Sequence, residues 1–225
     1  MRIYLFMLMV ALSGIVNAQD TNNSWWESYN KNSSQTTVKN NNNRSFFATK
    51  IQAGLNFDWL SGEASEGFDS GIGYNLGFSE DFWNNSSLGF ETGLYYTQYG
   101  LCFGIGNDYD YKVKLHYIEW QLMMDPRSFM GDYAIELNLG LGIDIGVSAP
   151  VKYKSKDIDY DLFVGSNKRK AQLKDYSVCI LYGLTFRWED GYVRLLAHRG
   201  LTNISNVDSE KAKLWNLELS LGYIF

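Results

Sequence analysis

Proline, cysteine and histidine each occur only twice among the 225 residues. Two cysteines, Cys102 and Cys179, do not make a disulfide scaffold. The histidines, His116 and His198, offer little to a Ser-His-acid hydrolase. His198 has Ser205 and Asp208 nearby in sequence and His116 has Glu119, yet neither lies beside a nucleophile motif. Long apolar runs are missing beyond the first 18 residues, so no later segment supplies the roughly 20 apolar residues of a helical span. Strong charge of one sign is missing too: a net charge of −5 argues against nucleic acid as the main partner. Glycine clusters fall on alternating segments, which leaves no phosphate-binding loop. The one cation-like grouping is Asp157, Asp159 and Asp161, which would share a strand face; beside Lys152, Lys154 and Lys156 it reads as a self-neutralising loop. The expectation is a protein that is not an enzyme, with no cofactor and no metal.

What the chain does have is aromatic residues and glycine, 16 Tyr, 13 Phe, 7 Trp and 21 Gly, a composition of strands with interfacial rings. Its start, MRIYLFMLMVALSGIVNAQD, sets Arg2 before an apolar stretch and a small-residue cleavage site at Val16-Asn17-Ala18. That predicts an export signal over residues 1–18. The residue directly after the cleavage site is Gln19 and not cysteine, so lipoprotein acylation is not indicated. Residues 19–45, rich in Asn and Ser and without either structural period, predict a flexible leader, and residues 46–225 predict the folded domain.

From Phe46 the period is two. Phe47, Thr49, Ile51, Ala53, Leu55, Phe57 and Trp59 share one face, and Lys50, Gln52, Gly54, Asn56 and Asp58 the other. YAIELNLGLGIDIGV and the closing WNLELSLGYIF repeat the scheme. Comparable runs near 46–59, 71–83, 86–101, 111–124, 133–147, 176–188, 192–202 and 213–225 give about eight strands, most with the roughly 9 to 11 residues a tilted strand needs to cross a bilayer. The fourth is irregular and changes its apolar face near Tyr117. Connections alternate between short, turn-forming ones (Asn84-Asn85, Asp125 to Asp132, Glu189 to Gly191) and long ones (Leu60 to Ser70, Phe103 to Asp110, Ser148 to Asp175, Asn203 to Ala212). Short turns at one end and long loops at the other predict an all-β fold: an eight-stranded antiparallel transmembrane β-barrel in the bacterial outer membrane, both chain ends on the periplasmic side.

A soluble lipocalin-like barrel alternates as well, with its apolar face inward. Here the polar face is built of glycines and single charges, suited to a cramped lumen, and aromatics such as Trp59, Tyr74, Trp188 and Tyr223 end the apolar stripes like interfacial girdles. The inward set is then Lys50, Asp58, Glu91, Glu119, Glu136, Asp144, Arg187, Arg194 and Glu218, expected to form a plug of ion pairs rather than line an open pore.

IQAGLNFDWLSG, LHYIEWQLMM, RGLTNIS and the terminal LSLGYIF resemble the PorT-like outer-membrane β-barrel family of Bacteroidetes. Gln121 stands where that family usually has proline. The resemblance implies a porin-like barrel with a structural or interaction role, or alternatively an accessory role in protein secretion. A lipid-modifying activity is the remotest alternative. It also implies that Leu221, Tyr223 and Phe225 form the signal read by the barrel assembly machinery. Partners are expected to be outer-membrane lipids and lipopolysaccharide, with the protein a monomer.

Overall fold

The computed structural model describes residues 47–65, 68–84, 86–105, 108–153, 156–164, 172–206 and 211–225. The signal, the leader and its Trp25-Trp26 pair lie outside them. The strands are β1 (Phe47–Ser61), β2 (Phe68–Phe82), β3 (Leu88–Ile105), β4 (Asp108–Met130), β5 (Tyr133–Ser148), β6 (Pro150–Tyr153), β7 (Lys156–Asp161), β8 (Tyr176–Trp188), β9 (Gly191–Gly200) and β10 (Lys213–Ile224). Eight of them form an antiparallel wall in the order β1, β2, β3, β4, β5, β8, β9, β10. The wall closes where β10 returns to β1, with Lys50 opposite Ile224 and Ser61 opposite Lys213. Closure satisfies the ladder groups that an open edge would leave bare, the condition for strands to survive in hydrocarbon.

The apolar face of each strand points out. Leu55, Ile72, Leu76 and Leu221 are 63, 70, 60 and 64 % exposed, which in a molecule of this kind means contact with lipid. Along β5 the outward stripe runs from Ile135 to Val147. At roughly 3.4 Å per residue and a tilt of about 40° such a stripe covers about 30 Å, the hydrocarbon thickness of a bilayer. Rings flank it. Near the short turns Phe47 meets Phe82 edge-on and Tyr133 stacks on Phe186. Near the long loops Trp59 stacks on Trp215, and the Arg199 guanidinium lies 5.0 Å from the Trp215 ring.

Inward glycines make room for large neighbours. A Cβ on Gly222 would lie 2.1 Å from the Tyr192 ring, and one on Gly77 2.2 Å from Tyr95. Both rings therefore pack against the wall directly over these glycines.

The face change at Tyr117 has a physical cause. β4 never flips: Val113, Leu115, Tyr117, Glu119 and Gln121 all point inward and are buried. What changes is the surroundings. Below Tyr117 the outward residues are Ile118, Trp120, Leu122 and Met124; above it they are Lys112, Lys114 and His116, and the inward ones turn apolar. The barrel therefore leaves the membrane near His116 and continues as a water-soluble rim with its own core. That core contains Tyr99, Leu101, Val113, Leu115, Tyr117, Ala149, Val151, Leu162, Phe163, Ile204, Ala212 and Leu214.

The rim explains where the strand boundaries depart from expectation. β3 and β4 run on through the expected loop to Ile105 and Asp108, which pair with each other. The expected loop from Ser148 contains a hairpin in which β6 pairs with β4 through Val113 and Val151, and with β7. On β4 above Tyr117 the outward residues are Lys112 and Lys114, so no greasy stripe advertises the extension. The Asp125–Asp132 segment, expected to be a turn because of Pro126, is mostly strand, with Gly131 at φ +67° making the actual turn.

Candidate functional site

The lumen holds two layers of polar side chains beneath the apolar core of the rim. In the layer toward the short turns, the Lys50 ammonium lies 3.0 Å from Asp81, 2.7 Å from Glu91 and 3.7 Å from Glu136. Arg127 reaches Asp81 at 2.6 Å and, through Nε, Glu136 at 2.9 Å. Arg187 lies 3.7 Å from Asp81 and 3.5 Å from Glu136. Arg194 donates from both terminal nitrogens to Glu91, at 2.8 and 2.6 Å, and from Nε to Thr185. Asp125 is 3.9 Å from Arg127 and accepts from Asn138 at 2.8 Å. Four cations (Lys50, Arg127, Arg187, Arg194) thus face four carboxylates (Asp81, Glu91, Asp125, Glu136), all buried. Charges so deep persist only when paired; here each carboxylate lies within 3.9 Å of at least one cation, while both Glu136 oxygens and Asp125 Oδ2 make no hydrogen bond. The Tyr192 ring lies under two of the cations, 5.5 Å from Lys50 Nζ and 5.2 Å from the Arg194 guanidinium carbon, and its hydroxyl donates to Gln52.

The same layer ties down the turn beneath it. Trp83 adopts φ +58°, a left-handed conformation costly for a bulky residue. Arg127 donates to its carbonyl at 3.3 Å, Arg187 donates to the Asn84 side chain, and Phe90 meets the indole edge-on.

The second layer, toward the long loops, is dominated by carboxylates. His198 sits between two of them, Nδ1 3.1 Å from Glu119 and Nε2 3.3 Å from Glu218. Glu119 also accepts from Thr97 and Gln121, so Gln121 takes part in the lumen's bonding where the resembled family carries proline. Asp58 accepts from the Gly100 amide at 2.8 Å. A small pocket between this layer and the rim core is lined by Tyr99, Asp144, Ser177, Cys179, His198, Leu214 and Asn216.

Of the nine lumen residues expected from parity, all are buried, but they belong to different layers. Lys50, Glu91, Glu136, Arg187 and Arg194 meet in the first; Asp58, Glu119, Asp144 and Glu218 lie in the second. Sequence reading missed Asp81, which has the inward parity of β2, and Asp125 and Arg127, hidden in an apparent turn. It left His198 and Cys179 unassigned, although both have inward parity on β9 and β8. Asp161, one of the aspartate trio, accepts backbone amide bonds from Ala149 at 2.7 Å and Phe163 at 2.8 Å, and so holds the rim hairpin. His116 is outside the barrel, its Nδ1 2.5 Å from the Tyr96 hydroxyl.

A closed antiparallel wall with lipid-facing leucines, aromatic girdles and a filled polar lumen defines a transmembrane β-barrel of the outer-membrane class. Residues 17–223 match the family model described as "Outer membrane protein beta-barrel domain", and the chain belongs to that family. The protein accordingly resides in the bacterial outer membrane. Among solved structures, the chain is similar to the attachment invasion locus protein Ail of Yersinia pestis, crystallised with the heparin analogue sucrose octasulfate (16% identity, 80% of this chain and 100% of that one, TM-score 0.44). It is also similar to neisserial surface protein A (16%, 80% and 98%, TM-score 0.47) and to OprG of Pseudomonas aeruginosa (14%, 81% and 97%, TM-score 0.43). No curated protein matches the chain.

Proposed function

We propose that the protein is a non-conducting, non-catalytic monomeric barrel whose role is structural or interactive, exercised through its outer rim. The observation that carries this reading is the double filling of the lumen: a charge-balanced layer at one end and a packed apolar core at the other. An ion crossing the barrel would have to break both. The rim has the chemistry to meet lipopolysaccharide. Lys112 and Lys114 point outward from β4 just above the Ile118 and Trp120 belt, and Arg199 is held over Trp215 on the far side, where lipid phosphates sit. Both nitrogens of His198 face carboxylates, which supports a non-catalytic reading of the lumen.

Two measurements test this. Folded protein in planar bilayers should give no stepwise conductance; stable channels would overturn the plug. Vesicles containing phosphorylated lipopolysaccharide should retain the protein's rim more firmly than dephosphorylated ones, by quenching of Trp59 and Trp215, and Lys112→Ala with Lys114→Ala and Arg199→Ala should erase the difference.

The PorT-like resemblance supports a second reading, an accessory role in secretion, for which a rim with its own core would serve as a docking platform. Deleting the gene and measuring secreted protein separates the two: a secretion defect with an intact membrane barrier favours the second. In either reading Leu221, Tyr223 and Phe225 serve as the assembly signal.

A further inference from the structure

We propose that the upper lumen layer is a structural metal site for a zinc-like divalent cation, formed by Cys179, His198 and Glu119, with Asp144 in the wall of the same pocket to turn in as a fourth ligand. Cys179 on β8, His198 on β9 and Glu119 on β4 each offer a ligand atom, and these atoms lie within 4.8 Å of one another. All are buried. Thiolate, imidazole and carboxylate together are the donor set of a tetrahedral zinc site, whose bonds of roughly 2.0 to 2.3 Å need only a modest inward turn of side chains at this spacing.

Three further observations point to a ligand. Asp144, opposite Glu119 in the β4–β5 register, has one carboxylate oxygen without a hydrogen-bond partner, although it lines the same pocket as Cys179 and His198. Gly142, opposite Cys179, leaves the space open: a Cβ there would lie 2.6 Å from the sulfur and 3.0 Å from Glu119 Oε1. Glu218 stands 3.3 Å from Nε2, the place of the outer carboxylate that orients a ligating histidine, while Nδ1 faces Glu119 on the metal side.

One divalent cation enters, and the protons held by Cys179, His198 and Asp144 leave to solvent during assembly, because each of these groups ligates only in its deprotonated form. With the rim core above and the ion-pair layer below, a cation loaded while the wall closes is retained. Its effect is to tie β4, β8 and β9, which are not all neighbours in the wall, across the lumen.

The test refolds the full chain in detergent with zinc or cobalt, confirms folding by heat-modifiable mobility, and removes loose metal by gel filtration. The expected result is about one zinc per chain, the number of a closed four-ligand site, and a cobalt–thiolate charge-transfer band in the near ultraviolet. Both should persist in Cys102→Ala and fall at least tenfold in Cys179→Ser. Folded wild type without zinc or band overturns the site; a band lost in Cys102→Ala overturns it equally. Should Cys179→Ser fail to fold, the bands of wild type and Cys102→Ala alone decide.

Discussion

Arg194 and Glu91, 103 residues apart in sequence, meet at the centre of the barrel through two parallel hydrogen bonds of 2.8 and 2.6 Å, with neither side chain exposed. A pair so buried stabilises little by itself, yet breaking one half strands the other charge. Arg194→Met is therefore expected to destabilise the folded barrel by about 3 kcal/mol or more. Its heat-modifiable transition should fall well below that of wild type. Adding Glu91→Leu should recover part of the loss, because Lys50 retains Asp81 and Glu136.

Gly222 and Tyr192 give a steric prediction. Gly222→Val puts branched carbon where the phenol ring lies, a clash that small-to-large changes in packed interiors price at about 1 to 3 kcal/mol. Tyr192→Ala alone also destabilises, by removing the platform beneath Lys50 and Arg194. The double variant should be milder than the sum, measured as folded fraction against urea.

The lipid face predicts a depth-dependent penalty. Leu219, opposite Leu55 in the β1–β10 register, is 55 % exposed near the middle of its strand. Leu219→Arg should cost about 2 to 4 kcal/mol in a bilayer. The same change at His116, at the level of the rim, should cost little.

Phe225 donates its amide to the Thr49 carbonyl at 2.9 Å and packs edge-on against Tyr223 at 5.0 Å. One hydrogen bond and one exposed ring matter little to a finished barrel. Deleting Phe225 should leave refolding in detergent nearly unchanged and lower the amount inserted in cells severalfold. Equal loss in both would assign the residue to stability, and no loss in cells would remove the assembly role.

Much of the fold was legible because the wall faces two unlike environments. Alternation on β1, β5 and β10 records lipid on one side and a narrow polar lumen on the other, so parity put nine charged residues on the inward face, where they are buried, while Asp81, Asp125 and Arg127 were missed. It could not sort them into layers, since layer depends on strand stagger, and stagger is fixed by long-range register such as Lys50 opposite Ile224. Nor could it reveal the rim. Val113, Leu115 and Tyr117 read as a fault in the fourth strand because the code inverts once water replaces lipid outside. Cys179 and His198 come together only through the pairing of β8 with β9, and neither lies in a local motif.

The switch of polarity at His116 also fixes the vertical position of the molecule. Raising the barrel by one residue pair would lift Ile118 to the boundary level of His116; lowering it would sink His116 into hydrocarbon and bring Lys114 to its edge. Each shift is opposed, so the protein should demand a bilayer of matching thickness, and in a patchwork of thin and thick domains it should collect where the fit is best.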